Sequence, residues 1–345
     1  MVTFPGFLPT AVGSLPHTDP MAACELVQRY LLDVPAWPQL PRRGVRESIQ
    51  VQFSQGFPGV VTQDGRVFVD RGRDLDADLE RLYTRYLSRD LDASALDGRC
   101  AAGLAHFLTL GFESVQAVKG QIIGPLSFGL TVTDQDRRAV LYDDVLADAV
   151  AKHLNLQAAW QERELRRLAP RTIIFVDEPY LAAFGSSYLA VERHEVIALL
   201  EEVFAGIEGL KGIHCCGNTD WSLLLETSVD ILNFDASSFA EALSLYPEAL
   251  RAFLRRGGII AWGIVPTAGD AQVMAETIDS LTVRLWGALR LVASKGVPLE
   301  DLLSASLLTP ACGLATLSES GAARALELLA GVSERMRTEL EGGAR

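Results

Sequence analysis

The stretch Thr172-Ile173-Ile174-Phe175-Val176-Asp177-Glu178-Pro179 decides the architecture. Its first five residues are β-branched or aromatic, the composition of a buried strand, and the run stops at two acids and a proline. Residues 143–168, just before it, carry Val145, Leu146, Val150, Leu154, Trp160 and Leu165 and read as a long helix packed largely on one side. His153 in that helix reads as a surface or rim residue. A helix feeding a short strand that ends in polar groups is the repeating unit of a parallel α/β sheet.

Outward from there the same unit recurs. Candidate strands at 8–12, 34–39, 115–123, 172–176, 212–216, 231–234, 258–264 and 303–307 alternate with helical patterns. The first helix shows a local start signal, with Asp19 as N-cap, Pro20 in the first turn, and Leu26, Val27, Tyr30 and Leu31 as its inward stripe. Eight strands predict an α/β protein with a single (β/α)8 TIM-type barrel over 1–345, a length that suits one such core. A helical insertion is expected around 70–112, its charged 74–91 run forming a solvated face, and 341–345 read as a frayed tail.

The 345 residues are 49% hydrophobic, with 44 acidic against 31 basic side chains and a net charge of -13. That excess disfavours nucleic acid and anionic membrane surfaces as partners. No apolar run approaches the roughly 20 residues of a membrane span, and MVTFPGFLPTAVGSLPH lacks the layout of a secretory signal, so a cytoplasmic location is expected. Cysteines 24, 100, 215, 216 and 312 are an odd set, which argues against a disulfide framework. Cys24 and Cys100 read as helical packing or surface positions.

A barrel gathers its catalytic groups where strands end. Gly13-Ser14, Asp177-Glu178-Pro179, His214-Cys215-Cys216-Gly217-Asn218, Asp235 and Thr309-Pro310-Ala311-Cys312-Gly313 all fall at such ends. His214 and Cys216, two apart, project to one side while Cys215 points to the helix layer. Those two make a workable metal clip, and Cys312 is a third ligand of the type zinc favours. A buried cysteine beside a structural histidine is the other reading of the same residues.

Gly13-Ser14-Leu15-Pro16-His17-Thr18 resembles the Gly-Ser-Phe-Pro-Gln-Thr stretch of the cobalamin-independent methionine synthase family, and Val176-Asp177-Glu178-Pro179 resembles its Asp-Glu-Pro strand end. His214-x-Cys216 and Pro310-x-Cys312-Gly313 resemble its zinc-ligand segments, in the same order, so the likeness runs from about residue 8 to residue 316. The barrel superfamily concerned also contains uroporphyrinogen decarboxylases and corrinoid-dependent thiol methyltransferases. The resemblance implies Zn2+ on His214, Cys216 and Cys312, with one place open for a substrate thiol that is activated as a zinc thiolate. It also implies that homocysteine is methylated to methionine, its ammonium held by Asp177 and its carboxylate by Gly13-Ser14, with Glu178 as the alternative acid. Asp235 matches the family's glutamate ligand but is one methylene shorter; it reads as a fourth zinc ligand, an outer partner, or a helix cap. His17 stands where the family has glutamine and reads as a mouth or exposed loop residue.

Two departures bear on the methyl donor. Full-length members carry two barrels, and residues 261–267 lack the family's histidine that serves transfer from a folate. A methylcorrinoid, free or protein-bound, is therefore the expected donor. The alternatives are methylation of another thiol such as coenzyme M from a corrinoid, and a zinc-binding barrel without turnover.

Overall fold

Parallel pairing follows from the sequence order, because each strand is separated from the next by a segment long enough to cross back over the sheet. The structure, a computed structural model, describes residues 4, 6–63, 65–187 and 189–343. In chain order its strands are β1 (Leu8–Pro9), β2 (Val60–Gln63), β3 (Arg66–Val69), β4 (Val118–Ile123), β5 (Thr133–Asp134), β6 (Thr172–Asp177), β7 (Leu210–Cys215), β8 (Ile231–Asp235), β9 (Ile259–Val265) and β10 (Ser306–Pro310). Seven of them form one curled sheet in the order β1-β10-β9-β8-β7-β6-β4, with every neighbour parallel. The fold is a TIM-type α/β barrel.

Residues 34–39, expected as the second strand, fill the gap between β1 and β4 without forming a regular ladder. The Trp37 N–H donates to the Lys119 carbonyl at 3.1 Å and Lys119 donates back to Pro35 at 2.8 Å. Gln39 turns to the other neighbour, donating to Gly13 at 3.1 Å and accepting from Leu15 at 2.8 Å. Pro35 and Pro38 lack the N–H that a two-sided strand needs, and the change of partner falls at Pro38.

Along each strand, alternate side chains enter the barrel. Its lower interior is a closed apolar cluster that includes Leu8, Ile173, Phe175, Ile231, Ile259, Ala261 and Leu307. A larger cluster fills the space between sheet and helices and holds Cys215, Trp221, Phe234 and Trp262.

Several expectations need correction. The last strand begins at Ser306 rather than 303, because Leu299–Ser304 is a helix and the apolar run spans both elements. The segment ahead of β4 is more than a charged helix: β2 and β3 pair antiparallel and β5 joins them in a separate small sheet. The Asp64-Gly65 pair between two Val-containing runs is the sequence signal for that hairpin. The helix Leu75–Ser88, capped by Asp74, packs over the helix Asp144–Leu165, and Tyr83 donates its hydroxyl to Asp148 at 2.6 Å.

That cover also overturns the reading of His153. The long helix is buried without a break from His153 to Glu162, not on one side only. His153 Nε2 meets the Phe53 carbonyl at 2.8 Å, and burial pushes its pKa down to about 4. Cys24 and Cys100 are both buried. The C-terminal helix continues through Gly343, so only residues 344–345 of the expected frayed tail remain, and they lie outside the described residues.

Candidate active site

His214 is the last inward residue of β7, and Cys216 follows just past the strand end. The turn after β10 brings Cys312 to the same place. One donor atom from each of His214, Cys216 and Cys312 lies within 4.8 Å of the other two. Tetrahedral zinc at about 2.0 to 2.3 Å from nitrogen and sulfur needs its donors roughly 3.5 to 3.8 Å apart, so side-chain rotations of about an ångström close the set.

The surroundings orient the imidazole. His214 Nδ1 donates to Asn233 Oδ1 at 2.6 Å, and Asn233 sits opposite it on β8. The Asn233 amide donates in turn to the Ala261 carbonyl at 2.9 Å and to Thr309 Oγ1 at 2.7 Å, which fixes its oxygen toward the ring. His214 Nε2 is left buried with no hydrogen-bond partner. A ligating histidine needs this arrangement, with one nitrogen held by an acceptor and the other free. Burial disfavours the imidazolium, but Cys216, Asp177 and Asn233 outweigh it and raise the His214 pKa.

The Cys312 thiol and then the His214 ring lower the Cys216 pKa to about 4, against the effect of burial. Cys312 shifts the opposite way, pushed up by its contact with Cys216 and by burial. One thiolate forms readily and a second needs a cation between them, so the donor set suits a zinc ion with three protein ligands and an open fourth place.

Above these groups opens a cavity of ≈ 380 Å³ whose lining includes Ser14, Glu47, Asp177, Tyr180, Cys216 and Cys312. Two carboxylate oxygens of its lining residues, Asp177 Oδ1 and Glu47 Oε2, are buried and have no hydrogen-bond partner. Glu47 uses its other oxygen to accept from Arg43 Nε at 3.1 Å and the Ala102 N–H at 3.0 Å. Burial raises Asp177 to about 6, with His214 and Lys119 opposing. Burial also raises Glu47, opposed by the Ala102 N–H, Arg43 and the Leu40 N–H. Unpaired buried acceptors are costly, and two on one cavity call for a cationic donor from outside the chain.

Two glycines bring the Ser14 and Cys312 loops together. A Cβ on Gly313 would lie 2.1 Å from Ser14 Oγ, and one on Gly13 would lie 2.5 Å from Gln121 Cδ. With neither present, the Leu314 N–H reaches the Ser14 carbonyl at 2.8 Å.

Other expected site residues stand elsewhere. Glu178 does not line the cavity; it accepts from the Leu126 and Ser127 N–H groups at 2.8 and 2.9 Å and from Ser127 Oγ at 2.6 Å. It secures the start of the helix Pro125–Thr131; burial raises its pKa to about 7 while those bonds oppose the rise. Asp235 is outside the three-residue donor group; its Oδ1 accepts from the Ser238 N–H at 3.1 Å and Ser237 Oγ at 2.6 Å, capping the helix Ala236–Leu243. His17 is buried rather than exposed and does not line the cavity.

Sequence reading missed Glu47 and Lys119. Nothing in the spacing around Glu47 marks it. Lys119 is fully buried inside the barrel, its Nζ donating to the Val12 carbonyl at 2.7 Å and to Gln121 Oε1 at 3.1 Å, and lying 4.2 Å from the Phe175 ring centroid. Burial lowers its pKa to about 7, with Asp177 pulling the other way. Its signal was the alternation Ala117, Lys119, Gln121, Ile123, which places polar side chains on the inward face of a strand.

No protein-family model and no curated protein matches the sequence. Among solved structures, a B12-independent methionine synthase from Shewanella sp. W3-18-1 in complex with selenomethionine superposes with a TM-score of 0.60 at 19% identity, over 98% of this chain and 99% of that one. A methyltransferase from Methanosarcina mazei gives a TM-score of 0.60 at 12% identity, over 97% of this chain and 94% of that one. The chain has the methionine synthase-like barrel fold.

Proposed function

We propose that this chain is a zinc-dependent methyltransferase that converts homocysteine to methionine. The observation that carries the proposal is the meeting of His214, Cys216 and Cys312 with the unpaired oxygens of Asp177 and Glu47 on one cavity. His214, Cys216 and Cys312 would hold the metal. Zinc bound there would strip the proton from a substrate thiol, which with a pKa near ~8.5 is otherwise only a few per cent ionised at pH 7.

The protein's own groups do the rest. Asp177 and Glu47 grip the substrate ammonium, while the Ser14 hydroxyl and N–H receive the carboxylate. Held at both charged ends, the substrate presents its sulfur to the cysteine side of the cavity. A sulfur lone pair forms the new S–CH3 bond as the bond from methyl to its carrier breaks, and the carrier keeps that electron pair. A thiol without an ammonium group, such as coenzyme M, would leave both carboxylate oxygens unpaired, which favours an amino-acid thiol. A zinc barrel without turnover gives no reason for that pair.

We infer a methylcorrinoid as donor, because its cobalt leaves with the electron pair and needs no proton. The acids lining the cavity, Asp177 and Glu47, are already assigned to the ammonium. One observation favours a folate instead: the Shewanella protein is described as B12-independent and is matched over 99% of its own chain. The test is methionine formation by the zinc-loaded protein with homocysteine and each donor in turn, alongside Asp177→Asn and Glu47→Gln. Both variants are expected to keep their zinc and to raise the KM for homocysteine at least about tenfold, since each loses a charge-assisted hydrogen bond. Unchanged homocysteine kinetics in both would refute the ammonium site, and no methionine with any donor would refute the activity.

A further inference from the structure

Beside the cysteine-floored cavity lies a second hollow of ≈ 530 Å³, lined in part by Ser48, Gln50, Thr131, Thr133, Arg66 and Arg137. Ser48, Gln50 and Thr131 also line the first cavity, so the two hollows share a wall. The small sheet builds the far side: Arg66 opens β3, and Arg137 lies in the turn after β5. That turn is firmly made. Asp134 Oδ1 accepts from the N–H groups of Asp136 and Arg138, both at 2.9 Å, and Arg71 pairs with Asp134 Oδ2 at 3.1 Å.

The arginines differ sharply in their partners. Arg71 is held by both Asp134 and Asp143. Arg66 and Arg137 have no carboxylate partner among the described residues, and the Arg66 guanidinium lies 5.6 Å from the Phe68 ring centroid. In a chain with a net charge of -13, two guanidinium groups that meet no carboxylate among the described residues stand together on one hollow, the chemistry that attracts an anion.

Resting on the methyltransferase reading, we infer that this hollow binds the anionic part of the methyl donor, a carboxylate or phosphate, while its methyl group enters the cysteine-floored cavity. Two donor classes share that chemistry: a methylfolate through its glutamate carboxylates and a methylcorrinoid through its phosphodiester.

The test is calorimetric titration of the zinc-loaded protein with methyltetrahydrofolate, methylcobalamin and methylcobinamide, the last lacking the phosphodiester. The proteins are wild type, the Arg66→Gln/Arg137→Gln double variant and the corresponding double lysine variant. One anionic donor is expected to bind wild type, to bind the glutamine variant about tenfold or more weakly, and to recover most of its affinity in the lysine variant. Zinc content and the KM for homocysteine should stay unchanged. Loss confined to methyltetrahydrofolate assigns the carboxylate; loss confined to methylcobalamin, with methylcobinamide indifferent to the arginines, assigns the phosphodiester. Equal affinities in wild type and the glutamine variant overturn the inference, as does failure of both anionic donors to bind wild type. Arginine-dependent donor binding in a protein that neither binds nor methylates homocysteine would sustain this site and sink the thiol reading alone.

Discussion

Phe175 and Asp177 stand two residues apart on β6 and both point into the barrel, yet they belong to different regions. Phe175 packs in the lower interior with Leu8, Ile173, Ile231, Ile259, Ala261 and Leu307, closed and apolar. Toward the strand ends come Gln121, Asp177, His214, Asn233 and Thr309, every one of them buried. The lower region stabilises the fold by removing apolar surface from water. The upper region keeps polar groups such as Asp177 Oδ1 and His214 Nε2 buried without partners, which costs stability and prepares a site. Lys119 joins the two, reaching from the Phe175 ring to the Val12 carbonyl.

The harshest way to break the contrast is to remove a metal donor. Cys216→Ser and Cys312→Ser are each expected to reduce tightly bound zinc from about one per chain to near zero by elemental analysis, while Cys215→Ser keeps it. Structural zinc in small domains is worth on the order of 10 kcal/mol of binding, so losing one of three donors should be plain. Full occupancy in both of the first two variants would dismiss the metal assignment.

The lower region should respond the other way. Phe175→Ala empties a fully buried ring position and is expected to cost about 3 to 5 kcal/mol in urea unfolding. Asp177→Asn, on the same strand, should cost less than about 1 kcal/mol or even stabilise, because it removes a buried carboxylate whose Oδ1 has no partner. If the asparagine variant proves the less stable of the two, the division between regions is wrong.

Much of this was legible in the residues. Strand alternation put His214 inside and Cys215 in the helix layer, and polar residues at strand ends marked the mouth. Other features depend on contacts made across long stretches of chain. A lysine alone in a strand reads as solvent-facing; the alternation with Ala117, Gln121 and Ile123 hints otherwise, and hydrogen bonds donated to the Val12 carbonyl and Gln121 Oε1 make the inward position tolerable. Glu47 ends the single 3-10 turn Val45–Glu47 and matters through Ala102 and the cavity it borders. Glu178, the alternative acid at that strand end, points away from Asp177 because adjacent strand-end residues diverge, and it caps the helix behind.

Lys119 gives a finer, pH-dependent test. Its pKa falls to about 7 in the folded protein from an ordinary 10.5, so between those values the unfolded chain binds more protons than the folded one. Stability from this group therefore rises with pH across that window and is lost as pH falls to 7, with a limiting slope of about 1.4 kcal/mol per pH unit. Lys119→Met removes the titration, so the wild-type-minus-variant difference in unfolding free energy should rise with pH across that window. A difference in unfolding free energy that stays constant from pH 7 to 10 would show that Lys119 titrates normally.

The smallest expected effect concerns Asp235, where two roles predict different behaviour from two substitutions. As a helix cap, its Oδ1 receives the Ser238 N–H, and asparagine offers an equivalent oxygen. Asp235→Asn should then leave both stability and zinc content unchanged, while Asp235→Ala costs about 1 kcal/mol by orphaning that N–H and still retains zinc. A zinc ligand would behave differently: the neutral amide would weaken metal binding as alanine does, whatever happened to the helix. Measuring zinc affinity and unfolding free energy on both variants separates the roles. A drop in affinity for Asp235→Asn with stability preserved would move Asp235 from the helix start into the metal site and extend the polar region by one strand end.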